Sequence, residues 1–158
     1  MGLADFAPSD QKALRKGLML GKAGLDQLMP MHIWIGPTGH IIRAGPTLQK
    51  LRPGEDIIGR RLTEMLEFRR PRAIQIMTDV LAMDGASAHV IFRTPPRNSM
   101  KGIIIVLPRN QGVLLNLSLG ISVAETVGKF GLKSKDFAPS DTTVEMLYLI
   151  EAQAAVLK

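Results

Sequence analysis

The chain has 158 residues, of which 46% are apolar, 22% are charged and 4% are aromatic, and its formal net charge is +6. This composition excludes a disordered chain, which lacks apolar residues, and a collagen-like chain. The sequence contains no cysteine, so disulfides, thiolate metal sites, iron–sulfur clusters and cysteine nucleophiles are excluded as well. A chain of this length is long enough to bury a core of its own.

The sequence shows no targeting or membrane-spanning segment. Its first residues lack an apolar stretch of signal-peptide length, and no apolar run reaches the ~20 residues that span a bilayer. We therefore expect a cytoplasmic protein that does not enter the membrane. The basic residues are densest between Arg60 and Arg72, but Glu64 and Glu67 interrupt this cluster and aromatic residues are scarce. Nucleic-acid binding is accordingly the weaker alternative, because it needs unopposed positive charge and rings for base stacking.

Residues 1–28 are predicted to form an N-terminal segment whose main element is an amphipathic helix over residues 10–28. Leu14, Leu18 and Leu25 recur at helical spacing and share one face. Three glycines within the helix weaken it by about 1 kcal/mol each relative to alanine. Such a helix needs a partner surface, so we expect these leucines to lie in a dimer interface.

Residues 29–138 are predicted to form the central domain. The stretch 31–44 is a β-hairpin around a Gly-Pro-Thr-Gly turn. Short helices are predicted at 46–52 and 61–68, a longer helix at 71–83, and strands at 88–94, 102–108 and 113–121. Five strands joined mainly by hairpins predict an α+β fold: a five-stranded antiparallel sheet with helices on one face and further helices at both ends.

Residues 139–158 are predicted to form a C-terminal helix that transmits a signal. Leu147, Ile150, Ala154 and Leu157 follow the spacing of a coiled-coil seam, while other apolar residues occupy a second face. A helix that is apolar on two faces must be covered on two sides. We therefore expect it to pair with a twin helix or to continue into a downstream domain. The alternative is a terminal helix that docks within one compact core.

The order of these elements is similar to that of a PAS domain, and short motifs make the resemblance more specific. A Pro-x-His opens the first strand, a Leu-x-Pro-Gly follows the second, and an Arg-Pro precedes the longer helix. In this order the motifs resemble the PAS-like domain that accompanies heme-NO-binding domains in bacterial signalling proteins and is also found in soluble guanylate cyclases. The resemblance covers roughly residues 28–158. The motif residues are Pro30, His32, Pro53, Gly54, Gly59, Arg70 and Pro71.

The resemblance implies a non-catalytic regulatory module that dimerises within a longer signalling protein. In such proteins the output domain is a nucleotide cyclase, a diguanylate cyclase or a histidine kinase, and none of these fits into 158 residues. We therefore expect a fragment of a larger protein or a stand-alone partner, for example of a protein that carries a heme-NO-binding domain. The heme-NO-binding domain itself is not in this chain, so the resemblance does not extend to gas sensing.

The sequence predicts no catalytic residues, no metal site and no cofactor. A hairpin loop of two or four residues would pair His32 with Arg43 and His40 with Ile35. The two histidines would then lie on opposite faces of the sheet and could not bind one metal ion together. A loop with an odd number of residues leaves a shared metal site open. We expect His32 to fix local packing through a hydrogen bond. The predicted helix 71–83 offers no histidine to a heme, and the nine methionines are more typical of core filling.

A second functional hypothesis is a small-molecule-binding domain with its ligand between the sheet and the longer helix. A large cavity behind the sheet would favour this hypothesis, whereas a solid core would favour the non-catalytic module. The candidate lining residues are Ile74, Met77, Leu81, Phe92, Ile104 and Leu117.

Overall fold

The computed structural model describes residues 17–70, 74, 76–119, 130–138, 141, 145, 148–149 and 152–153. The helices in these residues are α1 (Lys22–Leu28), α2 (Pro46–Lys50), α3 (Leu62–Met65) and α4 (Met77–Leu81), and a 3-10 turn covers Ser134–Asp136. The strands are β1 (His32–Ile35), β2 (Ile41–Ala44), β3 (Leu66–Arg70), β4 (Ser87–Phe92), β5 (Ser99–Val106) and β6 (Val113–Ser118).

The strands form one sheet in the order β2-β1-β6-β5-β4-β3, and every neighbouring pair is antiparallel. The predicted α+β class with an antiparallel sheet is therefore confirmed. The described sheet has six strands where the sequence predicted five, because β3 occupies part of the predicted helix 61–68. Leu66 and Phe68 are buried and alternate with Glu67, which is the period of a strand. β3 is an edge strand and ends in the exposed Arg69 and Arg70.

The two faces of the sheet differ. On the inner face, alternate residues such as Ile33, Leu115 and Ile104 stand opposite one another across three strands and are fully buried. Buried side chains of α2, α3 and α4 join them in one hydrophobic cluster, for example Leu48 and Val80. The short helices thus cover the inner face, and most of the apolar stabilisation is concentrated there.

Two predicted helices are shorter than the sequence pattern indicates. α1 begins at Lys22, and residues 17–21 are not helical. This agrees with the low helix propensity of the glycines at positions 17 and 21. Residues 1–16 lie outside the described part of the chain. α4 covers Met77–Leu81 of the predicted helix 71–83, and residues 71–73 and 75 are not described. In the C-terminal segment the described residues 145, 148–149 and 152–153 are helical.

The predicted register of the first hairpin is wrong. Trp34, not His32, stands opposite Arg43, and Ile35 stands opposite Ile41 rather than His40. An irregularity between Trp34 and Ile35 shifts the pairing by one residue, so an even-numbered loop does not describe this turn.

The segment 29–31 connects α1 to three other elements through successive carbonyl groups. The Met29 carbonyl accepts a hydrogen bond from the His32 amide at 3.0 Å, and the Pro30 carbonyl accepts one from Thr47 of α2 at 3.1 Å. The Met31 carbonyl accepts a bond from Leu117 of β6 at 3.4 Å. Gly45 packs directly against this segment, because an added Cβ would collide with the carbonyl oxygen of Pro30.

We predict that Gly45→Ala lowers the free energy of unfolding by about 2–3 kcal/mol, because a backbone carbonyl cannot move aside as a flexible side chain would. Gly21→Ala is a matched control. Both glycines precede a helix with similar backbone angles (φ −66°, ψ 158° and φ −69°, ψ 165°), but nothing lies within 4 Å of a Cβ at Gly21. The control should change the unfolding free energy by less than about 0.5 kcal/mol. Urea denaturation measures both, and equal effects would contradict the predicted collision.

Candidate functional site

The outer face of the sheet carries a strip of apolar side chains that is not covered by the inner core. Trp34 stands opposite Leu114, and Leu114 stands opposite Ile105. Ile103 and Ile105 are 42% and 39% exposed. We call Trp34, Ile103, Ile105 and Leu114 the outer apolar strip. A contiguous apolar surface of this kind is typical of an interaction face.

Helix α1 is attached to the β1–β2 end of the sheet through polar contacts. None of its residues is buried. Its main contact is the ion pair between Asp26 Oδ2 and Arg43 Nη2 at 2.7 Å, and the same Nη2 donates a longer bond to the Lys22 carbonyl at 3.4 Å. Arg43 is the cross-strand neighbour of Trp34. α1 is therefore held next to the outer apolar strip by charge more than by burial.

His32 lies fully buried beside this ion pair. Its Nδ1–H donates a 2.7 Å hydrogen bond to the Met29 carbonyl, so the expected packing bond is present. Burial lowers the pKa of His32, and Arg43 lowers it further, while the Met29 carbonyl and Asp26 act in the opposite direction. The neutral ring with its proton on Nδ1 is thus the form that this site favours.

The C-terminal side of the domain is anchored on α2. Lys50 Nζ lies 2.6 Å from Asp136 Oδ1, the Lys133 amide donates to Asp136 Oδ2 at 2.8 Å, and the Thr47 hydroxyl donates to the Asp136 carbonyl. Burial alone would raise the pKa of Asp136, but the hydrogen bonds from Lys50 and Lys133 outweigh it and hold the pKa below its ordinary value. The segment that leads to the C-terminal helix therefore starts from a fixed point.

Two cavities show that the N-terminal and C-terminal segments meet at one end of the sheet. A cavity of about 660 Å³ has walls from α1, from α2, from residues 134–137 and from Tyr148. A second cavity, of about 380 Å³, lies between residues 28–31, strands β5 and β6, and Asp141. Residues of both terminal segments therefore line the same two cavities.

Arg52 fixes the loop that follows β4. Its guanidinium donates to the carbonyls of Thr94, Pro95 and Pro96 at 2.9, 3.2 and 2.8 Å, and it lies 3.7 Å from the centre of the Phe92 ring. The side chain is only 3% exposed. Burial lowers the pKa of Arg52, although Glu55 opposes this. The group acts as a structural cation that satisfies three loop carbonyls at once.

The motif residues behind the resemblance have visible structural positions. Pro30 belongs to the carbonyl segment before β1, and Pro53 follows Arg52 directly. Gly54 and Gly59 have positive φ angles of 78° and 90°, which glycine adopts without strain. Arg70 ends the edge strand β3, and Pro71 lies outside the described residues.

The predicted interface leucines are only partly within the described chain. Leu18 is 85% exposed and Leu25 is half-buried on α1. The remaining predicted interface residues, Leu14, Leu147, Ile150, Ala154 and Leu157, lie outside the described residues. Their described neighbours Tyr148 and Leu149 are 62% and 65% exposed.

The residues predicted to line a ligand pocket are mainly part of the packed core. Ile74, Phe92, Ile104 and Leu117 are buried, and Met77 packs against the same cluster. Leu81 differs, because it is 41% exposed. The two cavities described above lie elsewhere, and of the predicted lining residues only Leu117 borders one of them. The structure therefore does not bring these six residues together around one cavity.

Among the residues that the structure describes, no group of three or more His, Asp or Glu side chains could hold a metal ion. Within the same residues, no helix is both long and apolar enough to cross a membrane. No protein-family model matches this chain, and no curated protein matches it.

We predict that Arg52→Lys lowers the free energy of unfolding by about 2–3 kcal/mol, because lysine can neither reach three carbonyls in one plane nor stack on Phe92 in the same way. Arg69→Lys is the control. Arg69 is 56% exposed and lies 3.8 Å from Glu67, so its replacement should cost less than about 1 kcal/mol. Thermal and urea unfolding of both variants test this, and equal losses would refute the role of Arg52.

Proposed function

We propose that this chain is a non-catalytic, PAS-like regulatory module that forms a homodimer and relays a signal through its C-terminal helix. The recipient is an output domain such as a cyclase, a diguanylate cyclase or a kinase, either attached to the chain or supplied by a partner with a heme-NO-binding domain. A cytoplasmic location is part of the proposal. The sequence resemblance and the antiparallel sheet with short helices on its inner face support it.

The observation that carries the proposal is the exposed apolar surface on both terminal segments. Leu18 and Met19 are 85% and 97% exposed, and Leu149 is 65% exposed at the other terminus. The outer apolar strip lies on the sheet face to which α1 is attached. When a second subunit covers apolar surface of this kind, the dimer is stabilised by about 25 cal/mol per Å² of apolar area buried.

The relay follows from the arrangement of the two termini. The default symmetry of a homodimer is a twofold axis, so the same segments of both subunits would meet. Because the cavity of about 660 Å³ joins α1 to Tyr148, a shift of α1 would change the space available to the C-terminal helix. Two packings of that helix that differ by a few kcal/mol are sufficient to bias an output domain.

Two other functions receive less support. A ligand between the sheet and the longer helix would need the space that Phe92, Ile104 and Leu117 fill. Nucleic-acid binding would need free positive charge, but Arg60 lies 3.8 Å from Glu55, and Arg69 lies 3.8 Å from Glu67. These ion pairs partly neutralise the basic cluster.

We predict that the chain sediments as a dimer at micromolar concentration and that Leu18→Glu shifts it toward the monomer, because a charge at the apolar contact must be desolvated. Ile76→Glu is the control, since Ile76 is also well exposed (60%) but lies beside α4. Analytical ultracentrifugation over a range of concentrations measures the shift. A parent chain that remains monomeric throughout this range would overturn the dimer.

A cysteine scan tests the proposed seam, because the natural sequence contains no cysteine. Single cysteines at Leu147, Ile150, Ala154 and Leu157 should form intermolecular disulfides on mild oxidation, since seam positions of a paired helix approach one another. A cysteine at Leu149, off the seam, should cross-link much less. Non-reducing gel electrophoresis gives the yields. A flat pattern along the helix would contradict a specific helix pair, even if the chain is dimeric.

A further inference from the structure

We propose that the C-terminal helix of one copy docks on the outer face of the sheet of a second copy, with Glu145 against Lys101 and Leu149 against Ile103. This inference rests on the proposed homodimer and adds to it the surface that receives the helix. The docked face of the helix is separate from the predicted seam, so the seam remains available to the twin helix.

The receiving surface lies along β5, whose outer side changes from charged to apolar. Lys101, Ile103 and Ile105 alternate with inner residues and therefore point to the same face of the sheet. Lys101 is exposed, and Ile103 and Ile105 are 42% and 39% exposed. Strand β5 thus presents one cation followed by two accessible apolar side chains of the outer apolar strip.

Lys101 is the last member of a row of basic side chains that crosses three strands. His89 of β4 stands opposite Lys101, and Arg70 of β3 stands opposite His89. All three residues are exposed. Among the described residues, no ion pair involves Arg70 or Lys101. This corner of the outer face therefore presents positive charge that favours an acidic partner.

The C-terminal segment 139–158 has the complementary composition. It contains three carboxylates and a single lysine at its end, whereas the whole chain has a net charge of +6. Its described residues from Glu145 onward are helical, so Glu145, Leu149 and Ala152 share one face of the helix. All three are exposed, Leu149 by 65%. This face, acidic at one end and apolar beyond it, is therefore not covered within one copy.

The spacing of the two surfaces matches. Four residues of an α-helix advance by about 6 Å, which separates Glu145 from Leu149 along the helix axis. Two residues of a β-strand advance by about 6.8 Å, which separates Lys101 from Ile103. A helix that lies along β5 therefore places its carboxylate over the ammonium group and its leucine over the isoleucine at the same time, and it continues toward Ile105.

A second copy is favoured over the same copy as the source of this helix. Within one copy, Asp141 and Lys101 line the same cavity of about 380 Å³, so the helix begins near this corner of its own sheet. Glu145 and Leu149, one and two turns later, are nevertheless exposed. The helix thus starts beside its own strip without lying on it, and a twofold axis at this corner would bring it to the strip of the other copy.

The two kinds of contact have different roles. An ion pair at the surface contributes little to affinity, whereas the burial of apolar side chains contributes more. We therefore assign the affinity mainly to the contact of Leu149 with Ile103. The pair of Glu145 and Lys101 sets the register of the helix along β5, because a helix displaced by one turn would lose it.

Disulfide cross-linking between copies of different size tests the docking, because the natural chain contains no cysteine. Full-length Ile103→Cys and tagged Leu149→Cys are mixed, allowed to exchange subunits and mildly oxidised at micromolar concentration. Docking predicts a product that contains one copy of each. Ile76→Cys in place of Ile103→Cys is the control. Ile76 is more exposed (60%) but lies beside α4, so its yield should be at least about fivefold lower.

A charge exchange tests the register. Lys101→Glu in the Ile103→Cys copy should lower the yield of the mixed product about fivefold, because like charges then face each other. Glu145→Lys in the Leu149→Cys copy should restore the yield. Arg109→Glu is the matched control, since this exposed arginine lies in the turn between β5 and β6, and it should have little effect. Circular dichroism verifies that each variant folds.

The outcomes separate the docking from the proposed dimer. A chain that sediments as a dimer and cross-links along its seam, but gives no mixed product, would overturn the docking and leave the dimer intact. Equal yields with Ile76→Cys, or no restoration by Glu145→Lys, would overturn the docking as well. A chain that stays monomeric at every concentration would overturn the dimer itself and the docking with it.

Discussion

Three successive carbonyl groups, at residues 29–31, set the arrangement of the rest of the domain. They accept hydrogen bonds from β1, from α2 and from β6, which are far apart in sequence. Gly45 closes against them with no space for a side chain. Pro30 and Met31 are buried, and buried carbonyls must be paired, so their two bonds hold α2 and β6 against the start of the first hairpin. The attachment point of α1 is fixed at the same place.

Two layers of different character follow from this arrangement. The inner face is closed by short helices and holds nearly all of the buried apolar residues. The outer face keeps Ile103 and Ile105 partly exposed beside a helix that is held mainly by charge. The buried core and the weakly attached helix thereby lie on different sides of one sheet. A change on the outer side need not cost the energy of unfolding the inner core.

The strands were predictable from the sequence because the alternation of apolar and polar residues is a strong local signal, as in Val113–Ser118. β3 was missed because Leu66 and Phe68 follow directly on the helical turn of α3, and a window across both elements shows mixed periodicity. The glycines at positions 17 and 21 indicated a weak helix, but only the structure shows that α1 starts after them. The hairpin register could not be derived, because an irregularity between Trp34 and Ile35 changes the pairing by one residue within the hairpin.

The candidate site was much less predictable than the fold. Asp26 and Arg43 are 17 positions apart, and Lys50 and Asp136 are 86 positions apart. No local pattern signals such pairs, because each depends on how distant elements are packed. Arg52 is a similar case, since it lies within a recognised motif but its partners belong to a loop some 42 residues later. His32 was the exception, because its place at the opening of the first strand indicated a packing role.

The arginines at the end of β3 affect how molecules of this chain can associate through the border of the sheet. β3 forms one border of the sheet and carries the exposed Arg69 and Arg70. Exposed charged side chains on an edge strand oppose the addition of a strand from a second molecule, because they must give up water before the backbones can pair. Growth of a continuous intermolecular sheet from this border is thus disfavoured.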